Sequence, residues 1–255
     1  MNLTRRIHLL SWASWLLPLA SLLLAYLAHA QVGWMFASLF FAAVIFAAID
    51  AWRASVRRAF IREARLPAAA KKAVRNIYPQ LSERDADLVS YGLRQFFIAY
   101  SRSKHQAVGM PSKVVDAAWH GMILHTKAYG DWCDVAFGKL MHHTPAEAMG
   151  ASGQRNDALR RTWYWACKEE SIDPRNPSRL PLLFALDAKF NIEGGYRYKP
   201  DCKAIDQASD GGTYCATDFS SGGGGEGGFS GDGDGFGGSD ASGGGDGGGG
   251  CGGGD

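Results

Sequence analysis

IHLLSWASWLLPLASLLLAYLAHAQVGWMFASLFFAAVIFAAI, residues 7–49, runs for 43 positions without an Asp, Glu, Lys or Arg. As one helix this stretch would be about 64 Å long, twice the thickness of a bilayer's hydrocarbon core. The natural division is at residues 28–33, where His29, Gln31 and Gly33 interrupt the apolar run and leave Leu9–Leu27 and Trp34–Ile49 as two cores of spanning length. The pattern predicts a transmembrane helical hairpin over residues 1–52. Pro18 falls inside the first span, where bilayer helices tolerate it once the freed carbonyl finds a neighbour. A cleaved secretory signal ending at Ala28-His29-Ala30 is the rival reading, but its apolar core is longer than the roughly 7–15 residues of such signals.

Charge orients the hairpin. Arg5 and Arg6 precede the first span, Arg53, Arg57, Arg58, Arg62 and Arg65 follow the second, and the turn between carries no basic residue. Lysine and arginine near span ends are retained in the cytoplasm, so both termini and the rest of the chain are expected there. Residues 53–65 read as a basic juxtamembrane helix in which Arg53, Arg57, Arg58 and Arg62 rest on anionic lipid headgroups rather than on nucleic acid.

The near-neutral total charge of +2 hides an asymmetry: no Lys or Arg follows Lys203, whereas nine acidic residues do. From Gly211 to Asp255 glycine supplies 23 of 45 positions. A segment of that composition buries too little surface to offset its ordering entropy, so residues 204–255 are expected to form a disordered acidic tail. The five cysteines form no CxxC pair, and in a reducing compartment they are expected to be free thiols.

Residues 66–203 hold enough apolar material for one small all-α core. Ser82 before Glu83-Arg84-Asp85 is a natural N-cap for a long helix, and Pro111-Ser112 opens the next, with Val115, Ala118, Trp119, Met122 and Ile123 on a broad face. Gly130 reads as a break. Thr144-Pro145 starts a short helix, Gln154–Glu170 forms another, and Leu182–Phe190 is the last, stopped near Gly194-Gly195. No alternating run is long enough to make a strand.

Chemistry-bearing side chains are densest between Asp116 and His143. His120, Cys133, His142 and His143 are the candidate ligands of a zinc-like ion, because zinc favours such nitrogen and sulfur donors. Asp116 lies four residues before His120, so on a helix its carboxylate can accept from the imidazole as a supporting group. His125 is about 140° around a helix from His120, and one face does not present both. The competing reading is structural: His120 bonds Asp116 to stiffen the core, and His142 and His143 decorate a loop. A Cys133 nucleophile with a histidine base is a third reading, weaker than a buried apolar thiol.

Around this cluster the chain resembles the bacterial glycine-rich domain-containing proteins. The resemblance rests on Pro111-Ser112-Lys113-Val114-Val115-Asp116, Trp119-His120, Tyr129, Cys133, Phe137-Gly138 and His142-His143-Thr144-Pro145. It continues through Ile172-Asp173-Pro174, Leu180-Pro181-Leu182-Leu183-Phe184, Asp187, Tyr198 and Cys202. A shorter core, Asp116, Trp119-His120 and Tyr129, is similar to the plant and fungal glycine-rich domain proteins, although Leu124-His125 stands where their second histidine pattern is expected. The resemblance implies a helical domain followed by a glycine-rich tail, and no established activity, cofactor or catalytic residue; taken with the hairpin and its charges, the expected location is a bacterial inner membrane. The expectation is therefore a membrane-tethered interaction or ligand-binding module with no complete catalytic constellation and a possible protein partner. A zinc-binding protein or metal-dependent hydrolase built on the 116–143 cluster is the alternative.

Overall fold

The computed structural model describes residues 3–27, 32–143, 152–200 and 213–215. Helices dominate them: α1 (Leu3–Leu27), α2 (Val32–Glu63), α3 (Ala68–Ile77), α4 (Glu83–Arg102), α5 (Lys113–Ile123), α6 (Thr126–Ala136), α7 (Ser152–Glu169) and α8 (Leu182–Lys189). A two-stranded parallel ribbon completes the list, with β1 (Arg197–Lys199) paired to β2 (Thr213–Cys215). The all-α expectation holds. The ribbon departs from the strand-free reading, and it draws three residues of the glycine-rich segment onto the domain. The expected helix at Thr144-Pro145 and the rest of the tail lie outside the described residues.

The helices α1 and α2 pack against one another as a hairpin, with Trp15 and Phe46 in edge contact at 5.8 Å. Both are long and apolar enough to cross a membrane, and only 17% and 11% of their most apolar windows are buried, unlike the core helix of a soluble protein. Their outward faces carry exposed Trp12, Leu24, Phe36 and Phe40.

The second helix does not end at the apolar boundary. It continues unbroken through the basic stretch to Glu63, so the expected juxtamembrane helix at 53–65 is the last part of α2 and not a separate element. Val56 packs with Ile7 and Leu10 of α1, and Ile61 is fully buried in the main core of the domain. The Arg57 guanidinium donates to the Phe137 carbonyl at 2.7 Å. It closes over Gly138, whose φ of 77° ends α6 and where an added Cβ would meet Arg57 at 2.6 Å. A β-carbon at that position would push the arginine out.

Within the domain α4 is the central element, buried along Val89, Leu93, Phe96 and Phe97 and touched by α2, α3, α5, α7 and α8. Ser82 caps it in a full capping box with Asp85. Trp163 of α7 is buried, while Trp165 is half-buried beneath Arg102, so the two tryptophans divide between core and edge as their spacing requires. Helix α3 packs so closely on α5 that a Cβ on Gly121 would lie 2.4 Å from the Ala73 Cβ.

Candidate metal centre

Helix α5 carries the first two residues of the site, and its start is held from across the domain. Ser112 caps it, accepting from the Val115 N–H at 3.3 Å. Buried Asp187 of α8 then accepts from the Ser112 hydroxyl at 2.7 Å and from the N–H groups of Lys113 at 2.8 Å and Val114 at 3.2 Å. It also accepts from the Tyr196 N–H at 2.9 Å. A carboxylate is well placed at the positive end of a helix, and this one ties α5, α8 and the strand that follows into one frame.

One turn into α5, Asp116 faces two imidazoles. His120 Nδ1 is 3.2 Å from Asp116 Oδ2 and 3.0 Å from the Asp116 main-chain oxygen. His143 Nε2 is 3.3 Å from Asp116 Oδ1, and the two histidine rings lie 4.4 Å apart between centroids. One ligand atom from each of the three residues falls within 4.8 Å of the other two. The three side chains are 33%, 49% and 20% exposed in the order Asp116, His120, His143, so the cluster opens onto solvent.

His143 comes back to α5 because a buried relay holds the segment before it. The Trp119 indole N–H donates to the Tyr129 hydroxyl at 3.1 Å, and that hydroxyl donates to the Met141 carbonyl at 2.5 Å. Burial, with the neighbouring Cys133, pushes the Tyr129 phenol well above its ordinary pKa, so it remains a donor. The Trp119 ring forms the wall behind His143, with centroids 4.7 Å apart. Asp116, Trp119, His120 and Tyr129, scattered along two helices, thus belong to one assembly.

The structure redistributes the sequence-derived ligand set. Cys133 is fully buried, and its sulfur is engaged by the Met141 backbone and the Tyr129 hydroxyl beneath the site, so the thiol sits in the supporting layer. Burial raises its pKa, which also removes the thiolate that a nucleophile needs. His142 is exposed and outside the cluster, and His125, whose Nδ1 lies 3.1 Å from the Gly121 carbonyl, is outside it too. Asp116, expected as a supporting group, is instead a direct member. The break expected at Gly130 is absent: Gly130 lies inside α6 with nothing within 4 Å of its Cβ position, and the chain turns earlier, at Leu124-His125.

Two imidazoles and a carboxylate are a donor set for zinc and similar divalent ions. Ligands at zinc's usual bond lengths sit about 3.3 Å from one another around a tetrahedron; one ligand atom from each of these residues lies within 4.8 Å of the others, so closing on a single ion takes a small inward movement of the side chains. Three protein ligands on an open surface leave coordination positions for water or another ligand. Among the described residues no other group of three such side chains converges in this way.

Residues 56–219 match the model of a protein family described as UCP032817-like. No curated protein and no solved structure matches the chain. The matched region begins at Val56, which packs with Ile7 and Leu10 one turn before α2 joins the main core at Phe60 and Ile61, and includes every residue of the cluster.

Proposed function

The chain belongs to the UCP032817-like family, and from its geometry we propose that it is a membrane-tethered module that binds a zinc-like divalent ion through Asp116, His120 and His143. The observation that carries this reading is the convergence of one carboxylate and two imidazoles, supplied by α5 and by the segment after α6, within 4.8 Å on an open surface. A purely structural Asp–His contact needs one histidine; here each carboxylate oxygen has its own. The ion's free positions would serve to hold a ligand or partner group, or to activate water in the hydrolytic alternative.

The hairpin anchors this module. Residues 7–49 span a bacterial inner membrane twice, and the arginines at both ends of the hairpin keep the domain cytoplasmic. The long acidic glycine-rich tail fits a scaffold or capture role better than a self-contained enzyme.

Elemental analysis of the full chain, purified with zinc and without chelators, tests the metal. One ion per chain is expected, lost in His120→Gln and in His143→Gln but kept in Cys133→Ala and His142→Gln. Substoichiometric metal in the unaltered chain, or full retention by His143→Gln, would sink the proposal.

A further inference from the structure

The four arginines near the domain end of α2 do not share one fate. Arg53 is paired with Asp50 and donates to the Ser11 hydroxyl at 3.3 Å. Arg57 is turned to the Phe137 carbonyl. Arg62 forms a two-pronged pair with Glu169 of α7, its Nη2 2.7 Å from Oε2. Arg58 makes no hydrogen bond or ion pair among the described residues, although it stands close enough to Arg62 and Arg102 to be repelled by both.

Arg102, from the last turn of α4, completes the group. It lies over the Trp165 ring at 5.2 Å, its nearest carboxylate is Glu169 at 3.9 Å, and its buried Nε has no hydrogen-bond partner. Glu169 therefore faces three guanidinium groups while both of its oxygens are held by one of them. Arg58 lies one helical turn before Arg62 on α2, the residue that meets Glu169, and Arg102 approaches the same Glu169 from α4, so two positive charges and the unpartnered Arg102 Nε are left over there. A guanidinium fork matches the oxygens of a phosphate.

The position of this patch selects the source of that phosphate. Arg58 follows exposed Trp52 on the same unbroken helix by six residues, about 9 Å of rise, from which its long side chain can reach back to the headgroup layer beyond an apolar span. Next to it, exposed Tyr164 packs edge-on against Trp165 and has Lys168 5.7 Å from its ring, an aromatic and basic surround of the kind found at membrane interfaces.

We propose that Arg58 and Arg102, with Trp165 as backing, bind the phosphate of an anionic phospholipid headgroup. The site is discontinuous in sequence, joining the end of the membrane helix to the end of α4, so a bound lipid would fasten the domain to the bilayer at a second point. This rests on the reading that the hairpin spans the membrane.

The test uses the full chain in nanodiscs of mixed phosphatidylglycerol and phosphatidylcholine, with lipids retained on release counted by native mass spectrometry. Preferential retention of phosphatidylglycerol is expected. Arg58→Gln with Arg102→Gln should reduce that preference roughly tenfold to thirtyfold, the worth of two arginines at an anionic surface, whereas Arg65→Gln should leave it unchanged. Absence of preference in the unaltered chain overturns the proposal without relying on any variant, and so does undiminished preference in a folded double variant. Displacement of the lipid by millimolar inorganic phosphate would assign the patch to free phosphate and overturn the lipid. Extraction of the chain from membranes by alkaline carbonate would instead remove the anchoring premise, a result distinct from the others.

Discussion

The hairpin and the domain obey opposite packing rules. On α1 and α2 the largest apolar groups point away from the protein, with Trp12 and Phe36 each 70% exposed, while Ser14 is fully buried between neighbours. In the domain Trp163 and Phe96 are 1% exposed, and the one buried carboxylate among the described residues, Asp187, is met by four donors. Apolar surface is expelled by water and not by hydrocarbon, so the inversion is what a hairpin placed in a bilayer beside a water-exposed domain would show. Helix α2 belongs to both regimes: its first half follows the lipid rule, and its last turns, through Phe60 and Ile61, follow the core rule.

The sharpest way to break this contrast is to replace one apolar side chain on each side of it. Ile61→Asp puts an unpaired carboxylate where α2 enters the core and should cost at least about 4 kcal/mol, unfolding the domain. Trp12→Leu on the outer face should shift the melting of the detergent-solubilised chain by less than about 0.5 kcal/mol. Thermal melts and limited proteolysis read both, and equal effects would show that the two regions are packed alike. Next in size, Asp187→Ala orphans four donors at the base of α5 and should cost about 3 kcal/mol, with loss of the ion because the helix bearing Asp116 and His120 is no longer pinned. A chemical melt that shows no change would mean that the domain does not depend on this frame.

The last effect is a titration. Burial pushes the Cys167 thiol from 9.0 up to about 12. The unfolded chain loses that proton first, so the stabilising contribution is complete below pH 9 and fades as pH rises from 9.0 through about 12. Replacing the thiol in Cys167→Ala should flatten this part of the pH–stability curve, while also lowering stability overall through the cavity it leaves.

The hairpin, the domain class and the helix starts at Ser82 and Ser112 are legible in the sequence because each depends on local signals: an uncharged run, a cap, a periodic face. Helix α3 is harder to read, since its buried face amounts to Ala70 and Val74 among lysines and arginine. The true turn at Leu124-His125 carries neither glycine nor proline and places Leu124 81% exposed, so no composition rule marks it. Gly130 misleads because it sits where a helix has open space beside it and pays only a modest propensity cost.

The candidate site divides the same way. The Asp116 and His120 contact follows from a four-residue spacing. The arrival of His143, and the diversion of Cys133, depend on where Tyr129 fixes the Met141 carbonyl, a tertiary event between segments that no short pattern encodes. Arg102 has the same character, since nothing near it in sequence places it beside Arg58.

The continuity of α2 has a geometric consequence. With the hairpin in a bilayer, a helix that enters the core without a linker acts as a mast: it sets the height and heading of the domain as well as its location. The candidate metal ligands then occupy a fixed altitude above the lipid, and the domain turns about the membrane normal only together with its anchor. Anything that reaches Asp116 must arrive within a restricted range of angles, and two copies of the chain would meet as sliding, upright bodies in a plane.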